Sequence, residues 1–325
     1  MDASRDERET VDVSLFIISY NRAEYLAEAV KSALDQTHRP RDITILDNGS
    51  TPDVKAAMEP LLERGVTWIG SDHTNSPSWN IRRAFTLAQG KYFVAMHDDD
   101  RLLPNFLKEQ TDFLDRFPKI VAVGCNAIKI DSHGKRYGPL LTDVHKQVRL
   151  FENSAEIALF YSSDDFLIFP SIMYRNGCAQ KRDFREKEFG KVGDCIYLCD
   201  LAQVGPVAYQ NRMLYEYRIH ARQDSMEMPE QTVRARDREL LHYASNSSNL
   251  ARKIRRNLAT SQILRAYMIL GKKNDDSPRL VVFFRQIECV RPEIFTMGAF
   301  FSGTGRSTRR FLGALWNSLK GKLTK

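Results

Sequence analysis

Cysteine is scarce in this chain and shows no pattern. The 325 residues include five cysteines, none of them in a C-x-x-C pair, and their number is odd. A structural zinc site or a disulfide framework needs closely paired cysteines, so the sequence supports neither. Cys195 and Cys199 lie four residues apart and would share one helical face, where buried free thiols are the expected state.

Long apolar segments are also missing. No stretch approaches the roughly 18 consecutive apolar residues that a membrane-spanning helix needs. The first ten residues are strongly charged and lack the apolar core of a signal peptide. We therefore expect a cytoplasmic protein, with any membrane contact peripheral and on the inner face of the cytoplasmic membrane.

The balance of charges is moderately basic. The chain contains 48 lysines and arginines and 41 acidic residues, which gives a net charge of +7. This excess favours anionic partners such as nucleotides, phospholipid headgroups or nucleic acid. Hydrophobic residues at 42% and charged residues at 27% are ordinary for globular proteins, so composition excludes a disordered or fibrous class.

The most costly feature of the sequence is a group of three adjacent carboxylates, Asp98, Asp99 and Asp100, at the end of an apolar run. Neighbouring like charges repel, so such a cluster at the end of a buried strand needs a cation to neutralise it. Carboxylates without nearby cysteines or several histidines suit Mg²⁺ or Mn²⁺. The alternative is a solvated acidic turn that caps a helix beginning near Pro104.

Apolar runs of strand length alternate with helical patterns over the first 125 residues. Strands are expected at residues 13–18, 43–46, 66–69, 92–96 and 120–124. Asn21 is expected to cap the first helix, with Glu24 at the capping-box position. Polar residues follow the strands at their carboxyl ends, which is typical of a nucleotide-binding α/β sheet.

Four motifs, in order, resemble those of family 2 glycosyltransferases. They are Ser19-Tyr-Asn-Arg, Asp47-Asn-Gly-Ser, the segment at residues 78–92, and the segment at residues 96–104 that contains the three aspartates and resembles a DXD motif. The resemblance implies a GT-A fold: an α/β, Rossmann-like mixed sheet flanked by helices, here followed by a C-terminal helical extension. It also favours the metal site over the solvated turn.

The resemblance implies roles for individual residues. The expected nucleotide-sugar-binding residues are Ser19, Tyr20, Arg22, Asp47, Asn80, Arg82, Arg83 and Asp98. The expected ligands of Mn²⁺ or Mg²⁺ are Asp98, Asp99, Asp100 and His220, and Arg218 could neutralise the leaving phosphate. Asp194 would be the general base, with a simple helix cap as the alternative.

The chain departs from the family pattern in two places. His97 stands where the family often has Asp, so the sequence leaves open which two of the three aspartates bind the ion. We interpret His97 as a supporting or packing residue. Ile81-Arg82 replaces an Arg-Asn pair, so either Arg82 or Arg83 could meet the diphosphate.

The expected division is a charged tail at 1–10, a GT-A domain at 11–228 and a basic helical region at 229–325. Within the GT-A domain the nucleotide-sugar half would end near 125, and the acceptor half would follow at 126–228. Residues 306–325 contain no acidic residue and place apolar residues on one helical face. That pattern fits a peripheral contact with anionic lipid, or packing on the catalytic domain, or a homo-oligomer contact.

The expected function is metal-assisted, inverting transfer of a sugar from a nucleoside diphosphate to an acceptor hydroxyl. Bacterial surface polysaccharide or glycolipid assembly is the expected setting, with a glycan or lipid-linked acceptor and no nucleic acid partner. One alternative is a metal-dependent nucleotidyltransferase, although its Gly- and Lys-rich loop is missing near the first strand. A carboxylate-pair glycosidase is disfavoured by the adjacency of the aspartates. A non-catalytic basic membrane-binding module would need no aspartate cluster.

Overall fold

A computed structural model describes residues 8–140, 147–163, 165–220 and 229–271. The described residues form two compact units. The first contains those up to 161 together with those from 165 to 243, and the second contains 162, 163 and 244–271. The amphipathic segment at 306–325 lies outside the described residues. Within the described part of the chain, every helix is too short or too polar to span a lipid bilayer.

A mixed sheet forms the centre of the first unit. Its strands are β1 (Thr10–Ser19), β2 (Arg39–Asp47), β3 (Thr67–Ile69), β4 (Tyr92–His97), β5 (Arg101–Leu102), β6 (Ala122–Ile130), β7 (Arg136–Leu140), β8 (Val148–Phe151), β9 (Met173–Arg175) and β10 (Val207–Arg218). Their order is β3-β2-β1-β4-β9-β6-β10-β5, with β7 beside β6 and β8 beside β10. Strands β3, β2, β1 and β4 are parallel, whereas β9 runs antiparallel to β4 and β6.

Helices cover the sheet on both faces. Those of the first unit are α1 (Ala23–Leu34), α2 (Pro52–Leu62), α3 (Pro77–Leu87), α4 (Phe106–Arg116), α5 (Ser154–Tyr161), α6 (Glu186–Phe189), α7 (Gly193–Leu201) and α8 (Glu230–Tyr243), and the second unit contains α9 (Ser248–Gly271). The α/β class and the mixed sheet that the sequence predicted are confirmed.

The expected Asn21 cap of the helix after β1 is wrong. The N-cap of α1 is Arg22, and no side chain caps the helix. Asn21 instead adopts a left-handed backbone with φ of 51° and accepts a hydrogen bond from the Thr51 backbone N–H at 2.9 Å. It therefore joins the loop after β1 to the loop after β2. The helix expected near Pro104 is present as α4, which begins at Phe106.

An aromatic cluster fastens α3 and α7 to the same face of the sheet. The ring of Phe85 on α3 lies 5.1 Å from Phe93 on β4 and 4.9 Å from Tyr197 on α7, between ring centroids. Tyr174 on β9 stacks on Phe93 at 5.2 Å. Buried aromatic pairs of this kind add about 0.5–1.5 kcal/mol each beyond their area. The cluster thus fixes the position of α7, which carries Asp194 in its first turn.

In the turn between α3 and β4, we expect the stability of the protein to be sensitive to a methyl group added at Gly90. A Cβ at Gly90 would lie 2.8 Å from three backbone atoms, those of Asp12, Ser14 and Tyr92. Because backbone cannot yield as a side-chain tip can, we expect Gly90→Ala to lower the free energy of unfolding by about 1–3 kcal/mol. Urea denaturation measures this change. The exposed neighbour provides the control: Gln89→Ala should unfold near the wild-type midpoint. Equal midpoints for the two variants would contradict the close packing at Gly90.

Candidate active site

The carboxyl ends of three adjoining parallel strands bring the first group of candidate residues together. Ser19 at the end of β1 is in register with Asp47 at the end of β2, and Ile18 is in register with His97 at the end of β4. Ser19 and Asp47 are buried, and so is Asp98, the residue that follows His97. The Ser19 hydroxyl has no hydrogen-bond partner among the described residues. Sequence order alone predicted this convergence, because parallel strands end at one edge of a sheet.

Asp98 and Asp99 are held by the loop that follows β1. The Tyr20 backbone N–H donates to Asp98 at 3.0 Å, and the Arg22 guanidinium donates to Asp98 at 3.0 Å and to Asp99 at 3.2 Å. His220 contacts the same oxygen of Asp99 as Arg22 does, with its Nε2 3.0 Å from Asp99 Oδ2. The structure therefore brings together five of the expected site residues, namely Tyr20, Arg22, Asp98, Asp99 and His220.

Asp100 fastens the same cluster to β10. Its two carboxylate oxygens accept hydrogen bonds from the Tyr215 hydroxyl at 3.0 Å and from the Arg218 backbone N–H at 2.9 Å. Asp98, Asp99 and Asp100 are only 2%, 7% and 1% exposed. The alternative of a solvated acidic turn is therefore wrong, because a solvated turn would leave these carboxylates in water.

Burial makes the accumulated charge expensive. Desolvation, together with the charge of Asp99, raises the pKa of Asp98 to about 7 and raises the pKa of Asp100 well above its usual range. Burial has the same tendency at Asp99, but the hydrogen bond from His220 and the charges of His97 and Arg22 hold the pKa of Asp99 below its usual range. Asp99 is thus the carboxylate that the protein keeps ionised, and a cation would relieve the repulsion among all three.

The donor set fits a divalent cation. His97, Asp99 and Asp100 each offer one ligand atom, and these atoms lie within 4.8 Å of one another. His97 is partly exposed and Asp99 retains some exposed side chain, so the set can be reached from solvent. His97 is thus grouped with two of the expected ligands, Asp99 and Asp100, whereas Asp98 is not in this group.

Arg218 serves as an internal support for the cluster. It is fully buried, and its Nε donates to the Asp99 backbone carbonyl at 2.7 Å. One terminal nitrogen lies 2.5 Å from Glu28 on α1, and the guanidinium stacks over Tyr25 at 4.4 Å. The expected role of Arg218 in neutralising the leaving phosphate is not supported by this placement, because its guanidinium contacts Glu28, Tyr25 and a backbone carbonyl.

Glu28 belongs to the site although sequence reasoning missed it. Besides Arg218, Glu28 pairs with Arg101 at 3.3 Å, and Arg101 in turn pairs with Glu216 at 2.6 Å. Arg101 also donates to the Gly134 carbonyl at 2.9 Å, in the turn between β6 and β7. This alternation of charges compensates groups that would be costly to bury alone. No local signal could have revealed it, since Glu28 and Arg218 are separated by 190 positions.

Asp47 is oriented by the turn that follows it. Its carboxylate accepts backbone N–H groups from Gly49 at 3.2 Å and Ser50 at 3.0 Å, as well as the Ser50 hydroxyl. A Cβ on Gly70 would lie 3.7 Å from Asp47 Oδ2, so the missing side chain leaves room beside the carboxylate. Tyr20 is 43% exposed and presents a free ring surface near the same edge. The arrangement suits a planar, hydrogen-bonding ligand such as a nucleobase.

The structure separates the two candidate arginines of α3. Buried Asn80 donates to the Leu46 carbonyl of β2 at 2.7 Å and accepts from Arg83 at 2.9 Å. Arg83 stacks over the Trp79 ring at 4.3 Å and interacts electrostatically with Asp47. Arg82 projects elsewhere, with an exposed side chain 3.8 Å from Asp183. Arg83 and Asn80 therefore join the strand-end cluster, and Arg82 does not.

Asp194 lies in the first turn of α7. Its carboxylate accepts the Cys195 backbone N–H at 2.7 Å, while the N-cap position belongs to Val192. Burial raises the pKa of Asp194 to about 6, against the lowering effect of the hydrogen bond and of the charge of Arg236. A carboxylate with this pKa is ionised at neutral pH and can accept a proton, which is what a general base requires.

Comparison with known proteins gives the family. The profile of the family described as "Glycosyl transferase family 2" matches residues 14–181. An uncharacterized glycosyltransferase of Haemophilus influenzae is 23% identical over 227 residues, which cover 66% of this chain and 67% of that protein. A putative colanic acid biosynthesis glycosyl transferase of Escherichia coli is 32% identical over 98 residues, which cover 29% of this chain and 35% of that protein.

A solved structure supports the fold. The crystal structure of S. aureus TarS 1-349 in complex with UDP-GlcNAc aligns with a TM-score of 0.60 at 14% identity, covering 77% of this chain and 71% of that chain. The fold is thus that of the GT-A enzymes, as the motifs predicted. The family match removes the nucleotidyltransferase and the non-catalytic module as alternatives. Because the profile covers more than half of the chain, this protein belongs to glycosyltransferase family 2 and is a glycosyltransferase.

Proposed function

We propose that this enzyme is a metal-assisted, inverting glycosyltransferase that moves a sugar from a nucleoside diphosphate to an acceptor hydroxyl. The observation that carries the proposal is the convergence of Asp47, Asp98 and Asp99 at the ends of β2 and β4, with Arg22 bridging the last two. A nucleobase recognised at one end and a diphosphate at the other would span this edge of the sheet.

The donor would lie along the strand ends. Asp47 would hydrogen-bond the base beside the exposed Tyr20 ring, and the buried Ser19 hydroxyl, which has no partner, could meet the same ligand. The Asp98 carboxylate would accept a hydrogen bond from a hydroxyl group of the ribose. Arg83, held by Asn80 and stacked on Trp79, would contribute positive charge near the phosphates.

His97, Asp99 and Asp100 would hold the divalent ion, Mn²⁺ or Mg²⁺, which when bound neutralises charge that develops on the departing diphosphate. Arg22 adds a fixed positive charge next to the same carboxylates. Tyr215 and Arg218 keep Asp100 in place, so little reorganisation is needed when the donor binds. In this scheme His220, whose Nε2 lies 3.0 Å from Asp99 Oδ2, helps to orient Asp99.

Asp194 would remove the proton from the acceptor hydroxyl as that oxygen attacks the anomeric carbon. Attack from the face opposite to the diphosphate inverts the anomeric configuration. The glycosyl bond to the phosphate oxygen breaks as the new one forms, and the proton ends on the Asp194 carboxylate. The aromatic cluster of Phe85, Tyr174 and Tyr197 supplies the rigid support that such placement needs.

A cell-surface polysaccharide or glycolipid is the product that we propose. One relative in Escherichia coli, 25% identical over 103 residues, is named as a UDP-Glc:alpha-D-GlcNAc-diphosphoundecaprenol beta-1,3-glucosyltransferase. The acceptor would then be a glycan or a lipid-linked glycan. Peripheral contact of residues 306–325 with an anionic membrane fits that setting, as does a homo-oligomer, and both stay proposals.

Titration calorimetry with a panel of nucleotide diphosphates and nucleotide sugars tests the function directly. With Mn²⁺ present, we expect heat from donors of one base and weak or no heat from the others, because Asp47 selects the base. Mixing the chosen donor with candidate acceptors should then release the nucleoside diphosphate. If no member of the panel bound with or without Mn²⁺, the proposed function would be wrong.

Two neighbouring arginines offer a matched test of donor binding. We expect Arg83→Ala to weaken donor binding by about tenfold, since a charge-assisted phosphate contact contributes on the order of 1.5 kcal/mol or more. Arg82→Ala removes the same kind of side chain one position away and should leave the dissociation constant within about twofold, because its pair with Asp183 is solvent-exposed. Calorimetry on both variants measures the difference. An equal loss in the two, or a larger loss for Arg82→Ala, would contradict the placement of Arg83.

Asp194→Asn should retain donor binding and lose transfer by about 100-fold to 10,000-fold, the range for removal of a general base. In the wild type, kcat should fall about tenfold per pH unit below about 6, because protonation then removes the base. The control is Asp183→Asn, which alters an exposed carboxylate and should keep both the rate and the pH profile. Transfer by Asp194→Asn at the wild-type rate would show that another group accepts the proton.

A further inference from the structure

An exposed apolar surface lies between α4 and β8, and none of its lining residues belongs to the candidate active site. We call it the α4–β8 face; its apolar members are Phe113, Phe117, Ile120, Val148 and Leu150. A groove of about 830 Å³ runs over it. Phe117, Val148 and Leu150 are 40%, 39% and 43% exposed. Exposed apolar side chains that are grouped in this way mark interaction surfaces.

The outer side of α4 presents charges beside its aromatic rings. Asp112 and Arg116 are four residues apart, as are Phe113 and Phe117, so all four side chains lie on one side of the helix. The two phenyl rings are 4.9 Å apart between centroids, and the Arg116 guanidinium lies 5.4 Å from the Phe117 ring. Asp112 contacts Lys108 at 2.6 Å in a solvent-exposed pair, which contributes little and can be exchanged for another partner.

The charges of the α4–β8 face are balanced, unlike those of the whole chain. The groove is lined by two acidic side chains, Glu109 and Asp112, and by two basic ones, Arg116 and Arg212. The chain as a whole carries a net charge of +7. Glu109 and Arg212 pair with each other at 2.6 Å, which leaves Asp112 and Arg116 to meet a partner. A face with no excess of positive charge is not suited to an anionic membrane or to nucleic acid.

A two-fold axis normal to this face brings opposite charges together. Two copies related by such an axis place their α4 helices antiparallel, so that Asp112 of one copy lies opposite Arg116 of the second copy, and the symmetry repeats the pair. Phe113 and Phe117 of both copies then meet between the two ion pairs. An apolar centre with a charged rim is the usual anatomy of a protein interface.

We propose that the α4–β8 face is the contact through which two copies of this chain form a symmetric dimer. The charge pattern of α4 selects a second copy as the occupant, because the face is complementary to itself. The inference does not depend on the proposed function, since the oligomeric state is measured without a sugar donor or an acceptor.

Sedimentation velocity of the full-length protein at micromolar concentrations tests the dimer. We expect the wild type at twice the monomer mass. Leu150→Glu should weaken the association by about 100-fold or more, because it places an unpaired charge in the apolar part of the contact. The matched control is Leu87→Glu, which alters a leucine of similar exposure, 40% against 43%, outside the α4–β8 face and should leave the dimer intact. A monomeric wild type, or equal weakening by the two variants, would overturn the inference.

Two charge reversals supply the sharper measurement. In a symmetric dimer, Asp112→Arg sets arginine against arginine and Arg116→Asp sets aspartate against aspartate, so each variant should be monomeric when pure. When the two variants are mixed in equal amounts, both pairs have opposite signs and a heterodimer should form. Association on mixing also shows that both variants are folded. Pure variants that remain dimeric, or a mixture that remains monomeric, would contradict the proposed contact.

Discussion

The desolvation of three adjacent carboxylates is the constraint on which the rest of this site depends. Asp98, Asp99 and Asp100 leave the sheet at the end of β4 and are almost entirely buried. Each is therefore matched by specific donors: the loop after β1 meets the first two, and β10 meets the third. The negative charge that remains on the three aspartates favours binding of a cation, and a bound cation would in turn favour an anionic diphosphate.

The same constraint explains why distant segments converge. Arg218 is wholly buried, and it can remain charged because Glu28 and backbone carbonyls surround its guanidinium. Through Arg101 and Arg218 the cluster is also tied to the turn between β6 and β7. Donor site and hairpin are thus parts of one rigid structure.

Local sequence patterns predicted where the strands end. They did not predict the contacts of side chains whose partners lie far away in the sequence. Apolar runs followed by polar residues correctly located Asp47 and the aspartate cluster, because that signal is contained in a few residues. Asn21 joins a second loop and so does not cap α1. The choice between Arg82 and Arg83 depends on the rotation of α3, since consecutive helical residues point about 100° apart. The partners of Asp100 come 115 and 118 residues later, beyond any motif.

A crystal structure with Mn²⁺ and the preferred nucleoside diphosphate tests the central claim most directly. Anomalous scattering from manganese should place the ion among His97, Asp99 and Asp100, with the base beside Asp47 and the diphosphate between them. An ion bound elsewhere, or a nucleotide lying away from the carboxyl ends of β1, β2 and β4, would contradict the account.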